Sequence, residues 1–246
     1  MKGVDYCLHQ AAIPSVPRSV ADPLATDRAN VGGSVALYVA ARDAGVRRVI
    51  VASSSSVYGL GAPVPTPESA GLAPASPYAV SKAAADMYAQ VFTDLFGLEI
   101  VSLRYFNVFG PRQDPASQYA AVVPLFITRL LEGRAPEIHG DGSQSRDFSY
   151  IDNVVEANLA ACAWPGRLAG AYNIACGHST TILGLYESIA RLLGVRVSPV
   201  HGPARPGDIP RSLADCTKAK AGFKYEARIG VEEGLARTVE WYRARK

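Results

Sequence analysis

The sequence predicts an α/β protein built on a doubly wound parallel sheet, and two observations lead to this class. Short runs rich in Val and Ile alternate with longer segments that begin and end at helix-capping residues. Strands that alternate with helices form parallel sheets whose two faces are covered. Hydrophobic residues make up 48% of the 246 residues and charged residues 19%, so the chain can bury a sizeable core.

The first half of the chain carries the clearest alternation. A Ser-Pro dipeptide at position 76 and an Asp-Pro dipeptide at position 22 predict helix starts, because the first residue can cap the helix and Pro fits its first turn. Gly45 and Gly97 are predicted to end the two helices that begin at these dipeptides. We therefore expect strands at residues 4–8, 46–52 and 99–104, helices at residues 22–44 and 76–96, and a Pro- and Gly-rich loop at residues 60–74.

The pattern is looser beyond Asn107. We expect residues 1–106 to belong to a first domain and residues 107–246 mainly to a smaller second domain. The helix near residues 152–163 and the strand near 171–175 are expected to return to the first. The other elements expected in this half are helices at Val122–Leu131, 183–193 and Val231–Arg243, and a strand at Glu137–His139.

Charge and cysteine content exclude several functional classes. The net charge of +3 is small and evenly spread, which argues against nucleic acid or a membrane surface as a partner. No apolar run approaches the ~20 residues of a membrane span. The four cysteines, at positions 7, 162, 176 and 216, form no close pair, so we expect reduced thiols, no metal and a cytoplasmic location.

A Tyr and a Lys four residues apart suggest a general base. Tyr78 and Lys82 would share one face of a helix, where the ammonium can lower the pKa of the phenol. Ser54, at the end of a predicted strand, could hydrogen-bond the same substrate oxygen. Such a set can move the proton of an alcohol that is oxidised to a ketone. Alone, the pair is more often a half-buried ring beside a surface lysine.

Context strengthens the catalytic interpretation. The Ser53–Ser56 cluster ends one predicted strand, the Tyr78/Lys82 pair begins the next helix, and the segment Arg104-Tyr-Phe-Asn107 ends the following strand. Parallel sheets bind ligands at the carboxyl ends of their strands, which is where all three segments are expected. Each of them could also be an ordinary turn or strand end.

At these residues the sequence resembles the extended short-chain dehydrogenase/reductases, in the NAD-dependent nucleotide-sugar epimerase/dehydratase branch. The resemblance covers essentially the whole chain and is nearest to UDP-N-acetylglucosamine 4-epimerases. It implies a Rossmann-type sheet, a nucleotide-sugar-binding second domain, and Ser54, Tyr78 and Lys82 as catalytic residues. The residues that it implies beside NAD are Ala11, Ala12, Asn30, Ala52, Ser53, Tyr78, Lys82, Tyr105 and Phe106.

The resemblance also implies a UDP-sugar substrate. Arg146 and Arg205 match arginines that clamp the diphosphate, and Asp208 matches a carboxylate that holds the nucleotide ribose; bidentate contacts suit Arg to phosphate. The segment that begins at Tyr119 resembles one that packs on the nucleotide. The full set of substrate residues implied is Ser15, Arg18, Ser54, Ser55, Asn107, Ala121, Val122, His139, Arg146, Arg205, Asp208 and Ser212.

The implied reaction is 4-epimerisation through a 4-keto sugar, with a role in surface polysaccharide precursors. The 4,6-dehydratases carry Asp-Glu directly after the catalytic Thr, whereas Ser55 and Ser56 occupy these positions here, which disfavours dehydration. Ser212 matches a gate residue whose small size leaves room for an N-acetyl group, although plain hexoses stay open. Family members dimerise through the two long helices that residues 24–44 and Pro77–Phe96 resemble.

One family feature is absent from the sequence. No Gly-x-x-Gly-x-x-Gly segment occurs, and the chain begins on what resembles the fourth strand of the nucleotide-binding sheet. We therefore expect an N-terminally truncated chain in which Met1 is an internal methionine. Two hypotheses remain open: an NAD-dependent 4-epimerase whose cofactor half is missing, which could leave this chain inactive alone, or a non-catalytic remnant that binds nucleotide sugar or pairs with another chain. Within the family, a nucleotide-sugar dehydratase or decarboxylase is the alternative.

Overall fold

Helices and strands alternate along the chain in the computed structural model, which describes residues 1–115, 121–204 and 209–245. The helices are α1 Val16–Ala21, α2 Pro23–Asp27, α3 Gly33–Asp43, α4 Pro77–Phe96, α5 Val122–Leu131, α6 Ile151–Ala163, α7 Ile182–Leu193, α8 Thr217–Phe223 and α9 Val231–Arg243. The strands are β1 Tyr6–His9, β2 Arg48–Ser54, β3 Glu99–Tyr105, β4 Val108–Phe109, β5 Glu137–His139, β6 Ser145–Asp147, β7 Ser149–Tyr150, β8 Gly170–Ile174, β9 Ser179–Thr181 and β10 Val200–Gly202.

The chain divides into two compact units that interleave in sequence. Unit 1 comprises Met1–Tyr105, Val155–Ile174 and Asp215–Glu226. Unit 2 comprises Phe106–Val154, Ala175–Ala214 and Ala227–Lys246.

Unit 1 contains the parallel sheet that the sequence predicts. Its four strands lie in the order β1-β2-β3-β8, and every pairing between them is parallel. β2 and β3 are buried along nearly their whole length, as strands covered on both faces are. The α/β class with a Rossmann-type parallel sheet is therefore confirmed, and the carboxyl ends of its strands meet at one edge.

Apolar residues from α3, α4 and the sheet form the core of unit 1. The rings of Tyr38 and Phe92 pack edge to face with their centroids 5.6 Å apart. The fully buried Arg48 is compensated by Glu99 and by main-chain carbonyl groups at the end of α6 and beyond it. A buried guanidinium with these partners fixes the start of β2 against its neighbours.

The predicted helix at residues 76–96 forms as expected. Ser76 caps α4 by accepting a hydrogen bond from the amide of Ala79, and Pro77 occupies the first turn. Gly97 ends the helix in the left-handed conformation. The helix is 20 residues long and gives Tyr78 and Lys82 a rigid support.

The single helix predicted at residues 22–44 is wrong in detail. A π-helical turn at Arg28–Gly32 separates α2 from α3, and the amide of Gly33 bonds to the carbonyl oxygen of Arg28 five residues earlier. Two successive glycines lower the helical propensity here. The buried Asn30 lies in this turn and uses its side chain to hold the loop after β1. The sequence analysis also missed α1, which precedes α2.

Unit 2 contains short strand pairs and three helices around a second core. Its pairs are β4-β7, β5-β10 and β6-β9, each two or three residues long. The predicted bounds of α5, α9 and β5 are confirmed. Residues from α5, α7 and α9 supply most of the core, to which Phe109 and Tyr150 add an edge-to-face pair at 5.7 Å.

Across the three described ranges, no helix is both long enough and apolar enough to span a bilayer. The four cysteines are free thiols.

Candidate active site

Ser54, Tyr78 and Lys82 lie together in unit 1. Ser54 is the last residue of β2, and Tyr78 and Lys82 lie one turn apart at the start of α4. The Tyr78 hydroxyl lies near the Ser54 side chain, which acts to lower the pKa of the phenol. The Lys82 Nζ lies 6.0 Å from the centroid of the Tyr78 ring and donates to the carbonyl oxygen of Ala52 at 2.7 Å. The helix cap and the strand end thus bring the three predicted catalytic side chains into one cluster.

Burial dominates the electrostatics of this cluster. It raises the pKa of the Tyr78 phenol, against the smaller opposite effect of the hydrogen bond with Ser54. Burial lowers the pKa of Lys82 to about 8, against the opposite effect of Asp86. Near neutral pH the site therefore holds a phenol beside an ammonium group. The pKa of Tyr78 is raised, whereas the spacing with Lys82 led us to expect a lowered value.

A turn after β2 orients Ser54. Residues Ser55–Tyr58 form a 3₁₀ turn that Ser54 caps. The amide and the hydroxyl of Ser56 both donate to the Ser54 Oγ, at 3.2 and 2.9 Å. Two donors on this oxygen leave the Ser54 hydrogen for the Tyr78 oxygen or for a ligand. Ser55 lies in the same turn, which contains no carboxylate.

The residues predicted beside the cofactor lie around the same strand ends. Ala11 and Ala12 lie in the loop after β1, with one residue between the end of the strand and Ala11. Asn30 accepts from the amide of Ile13 at 2.8 Å and donates to the carbonyl oxygen of Ile13 and to the Ser81 Oγ. Asn30 therefore ties the loop after β1 to α4. The sequence analysis missed Ser81, although it lies within the Tyr-x-x-x-Lys segment.

Tyr105 ends β3 within a small polar group. Its hydroxyl accepts from the Asn158 Nδ2 at 2.9 Å and donates to the Gln10 Oε1 at 3.1 Å. Burial raises the pKa of this phenol. Gln10 and Asn158 were not predicted, although Gln10 directly precedes Ala11 in the sequence. Phe106, the next residue along the chain, is only 1% exposed.

Unit 2 contains a cavity of about 560 Å³ with an arginine-rich lining. Four predicted substrate residues line it: Asn107, Val122, His139 and Arg146. Phe126, Arg129 and Gln144 also line the cavity and were not predicted. Phe126 and Arg129 lie four and seven residues beyond Val122 on α5, so a helical spacing would have found these two.

Hydrogen bonds to the main chain support the polar wall of this cavity. Asn107 adopts a positive φ of 36° and donates to the carbonyl oxygen of Asp147 at 3.0 Å. Arg146 donates to the carbonyl oxygens of Ser145 and Ile209. The Nδ1 atom of His139 lies 3.6 Å from the Oε1 atom of Glu137. With two arginines and one glutamate in its lining, the cavity suits an anion with a planar group.

The remaining predicted residues lie elsewhere. Ala121 precedes α5, and the Ser212 amide donates to the carbonyl oxygen of Ser145 beside the cavity lining. Ser15 and Arg18 belong to α1 in unit 1, where Ser15 caps the helix. Arg205 and Asp208, like Tyr119, lie outside the described residues. In the described ranges, no three His, Cys, Asp or Glu side chains cluster as metal ligands.

Similar proteins act on nucleotide sugars according to their names. The chain is 41% identical over 240 residues to a UDP-glucose 4-epimerase of Mycolicibacterium smegmatis, covering 97% of this chain and 76% of that protein. It is 43% identical to the solved UDP-N-acetylglucosamine 4-epimerase of Methanobrevibacter ruminantium in complex with UDP-N-acetylmuramic acid. That match has a TM-score of 0.94 and covers 100% of this chain and 78% of the other. dTDP-glucose 4,6-dehydratases are also similar.

NAD is the cofactor of such proteins. The solved UDP-glucose 4-epimerase of Thermus thermophilus, in complex with NAD, is 35% identical with a TM-score of 0.87 and covers 98% of this chain and 78% of the other. The strand end of unit 1 suits its nicotinamide half. The Ser53 Oγ is buried there without a partner in the described part of the chain, and a buried polar atom of this kind fits a missing ligand. Ser53 and the Lys82 ammonium would hold that half.

Residues 1–175 match the NAD dependent epimerase/dehydratase family. The match includes the whole Ser54, Tyr78 and Lys82 cluster and all the residues predicted beside the cofactor. The chain belongs to the NAD dependent epimerase/dehydratase family.

Proposed function

We propose that this protein catalyses the 4-epimerisation of a UDP-hexose or UDP-N-acetylhexosamine through a 4-keto sugar. The observation that carries the proposal is the cluster in which the Ser54 side chain and the Lys82 ammonium both lie beside Tyr78. A phenol, a hydroxyl and an ammonium are what an alcohol-to-ketone step requires of a protein. The names of the similar proteins support a UDP-sugar as the substrate.

Tyr78 moves the proton in this mechanism. In its phenolate form it accepts the proton of the sugar 4-hydroxyl, while Ser54 donates a hydrogen bond to the same oxygen. The Lys82 ammonium balances the phenolate charge, which matters because water is largely excluded here. NAD, when bound, accepts the hydride of C4 and later returns it. Tyr78 then gives the proton back to the oxygen of the opposite epimer, so the enzyme ends each cycle unchanged.

The cavity of unit 2 is proposed to bind the nucleotide. Its two arginines, Arg129 and Arg146, can neutralise the diphosphate, and the half-buried Val122 and Leu125 supply apolar surface for the base. Arg205 and Asp208 are proposed to complete the contacts to the diphosphate and the ribose.

Dehydration is the runner-up reaction. Elimination of water needs a second acid and base near the sugar. The turn after Ser54 presents the hydroxyl groups of Ser55 and Ser56, which cannot act as carboxylates do. This turn favours epimerisation. A small Ser212 is proposed to admit an N-acetyl group.

Incubation of the purified protein with NAD⁺ and UDP-N-acetylglucosamine or UDP-glucose tests the proposal. We expect a mixture of gluco and galacto epimers, separated by anion-exchange chromatography and identified by NMR. Tyr78→Phe should reduce turnover about 100- to 10,000-fold because it removes the base. Tyr88→Phe, an exposed tyrosine on the same helix, is the matched control. A 4-keto-6-deoxy product would identify a dehydratase, and no product from either substrate would support the non-catalytic alternative.

We also propose that the protein is a homodimer that pairs through α4. This helix is the second of the two long helices named in the sequence analysis. A stripe of apolar side chains faces solvent along it: Val80, Met87, Val91 and Leu95.

A further inference from the structure

Asp86 is a buried carboxylate that lies one helical turn beyond Lys82. Both residues are only 7% exposed, and side chains four apart on a helix are neighbours. One carboxylate oxygen, Oδ2, accepts from the Arg104 Nε at 3.0 Å. The other, Oδ1, is buried without a hydrogen-bond partner in the described ranges. A buried ion that leaves one oxygen unsatisfied is costly, so this arrangement calls for a reason beyond packing.

Arg104 holds Asp86 from the side of the sheet. It lies on β3, and its Nη1 donates to the Tyr58 hydroxyl at 3.0 Å. Tyr58 in turn donates to the Asn173 Oδ1 on β8 at 2.7 Å. This chain of hydrogen bonds joins α4 to two strands and to the turn that follows Ser54. The orientation of the Asp86 carboxylate is therefore fixed by elements that also form the site.

Three titratable groups lie near the charge of Lys82, and a fourth, Arg104, is paired with one of them. His9 faces it from β1, and burial together with the Lys82 charge lowers the pKa of His9, which leaves a neutral imidazole. Tyr78 lies one turn earlier on α4 and is neutral near pH 7. Arg104 is cationic and paired with Asp86. Asp86 is thus the anion that opposes the cost of burying the ammonium, and it raises the pKa of Lys82.

We propose that Asp86 is a positioning residue for Lys82: its carboxylate, one turn farther along α4 and clamped by Arg104, supplies the buried negative charge that holds the ammonium where it donates to Ala52 beside Tyr78. The proposal rests on the proposed function in taking Lys82 as the charge that assists Tyr78. It assigns a role to a residue that the Tyr-x-x-x-Lys spacing does not include. The same four-residue spacing, continued once more, leads to Asp86.

A purely structural ion pair between Asp86 and Arg104 is the alternative. Loss of either partner would then weaken the fold and leave the titration of Lys82 where it was. In our proposal the two substitutions act on Lys82 in opposite directions, because Asp86→Asn removes the anion near Lys82, whereas Arg104→Gln removes the cation that neutralises this anion. The direction of the change therefore separates the two roles.

Titration of the lysine side chains by NMR measures this directly and does not depend on activity. The sequence has six lysines, so [ε-¹³C]lysine labelling gives few resonances, and Lys82→Met assigns the one of interest. We expect Asp86→Asn to lower the titration midpoint of Lys82 by about one pH unit. Arg104→Gln should raise it. Asp94→Asn, an exposed carboxylate on the same helix, should leave it unchanged.

An unchanged midpoint in Asp86→Asn, or a shift in the same direction in both variants, would overturn the proposal. Circular dichroism checks that each variant folds; if Asp86→Asn does not, the rise expected in Arg104→Gln decides alone, and its absence counts against us. A wild-type protein that shows the Asp86-dependent titration but no epimerase activity would contradict the proposed function and leave the role of Asp86 standing.

Discussion

Lys82 carries its charge in a place from which water is largely excluded. Burial lowers the pKa of its side chain from 10.5 to about 8, because the neutral form is easier to bury. The folded protein therefore binds the Lys82 proton less tightly than the unfolded chain does. It follows that this residue lowers stability below pH 8, and that the loss disappears as the pH rises from about 8 to 10.5.

Lys82→Met should consequently stabilise the fold while it weakens catalysis. We expect the free energy of unfolding of the variant to exceed that of the wild type at pH 7, and the gap to close by on the order of 2–3 kcal/mol by pH 10. Urea unfolding at a series of pH values measures both curves. Lys2→Met, at an exposed lysine, should follow the wild type throughout. A gap that is constant with pH would contradict the argument.

At the scale of the element, the turn after β2 depends on a glycine. Gly59 ends this turn with a φ of 64°, and a Cβ placed on it would lie 1.7 Å from the carbonyl oxygen of Ala73. A side chain there would push away the main chain of the loop that returns to the turn. That loop carries Thr66 and Glu68, which bond to Asn173 on β8.

Gly59→Ala should therefore destabilise the protein by more than backbone strain alone. Gly61→Ala is a matched control, since Gly61 also has a positive φ, of 83°, but open space around it. We expect the free energy of unfolding to fall by about 1 kcal/mol in the control and by about 1–3 kcal/mol more in Gly59→Ala. Urea unfolding measures both losses. Equal losses of unfolding free energy in the two variants would show that the loop at Ala73 moves away from the new side chain at no cost.

The elements that the sequence predicts well are those with local signals. The bounds of α5 and α9 follow from apolar spacing, and those of α4 from its Ser and Gly caps. Apart from β5, the strands of unit 2 were not predicted, because they are too short to show a period of two residues. The π-helical turn was not predicted either. The hydrogen bonds that Asn30 makes from this turn, to Ile13 and Ser81, join distant segments that no local pattern relates.

The site could be predicted in part for the same reason. The Tyr78 and Lys82 spacing is local, and the family resemblance supplied Ser54. The polar group at Tyr105 joins residues from three distant segments, so no spacing predicts it. The pKa of Tyr78 depends on how deeply the folded chain buries it, which the four-residue spacing cannot express. The role proposed for Asp86 follows from the four-residue spacing together with its unpaired oxygen, and only the structure shows that oxygen.

At the scale of the whole molecule, the proposed dimer makes the last prediction. The exposed apolar side chains of α4 follow intervals of three and four residues with Ala84 included, so they form one stripe along the helix. Leu95 is 72% exposed, which is a cost that a second copy of the chain would remove. Light scattering coupled to gel filtration should therefore give about twice the 26.1 kDa mass of one chain.

Charges placed in the stripe should separate the two copies. A Val91→Glu and Leu95→Glu double variant puts like charges opposite each other in any symmetric pairing through this face, and burial of unpaired carboxylates is costly. We expect it to elute as a monomer with an unchanged circular dichroism spectrum. Leu60→Glu, at an exposed apolar residue in the loop after β2, should remain a dimer. A wild-type chain that is already monomeric, or a double variant that stays dimeric, would show that this face does not form the interface.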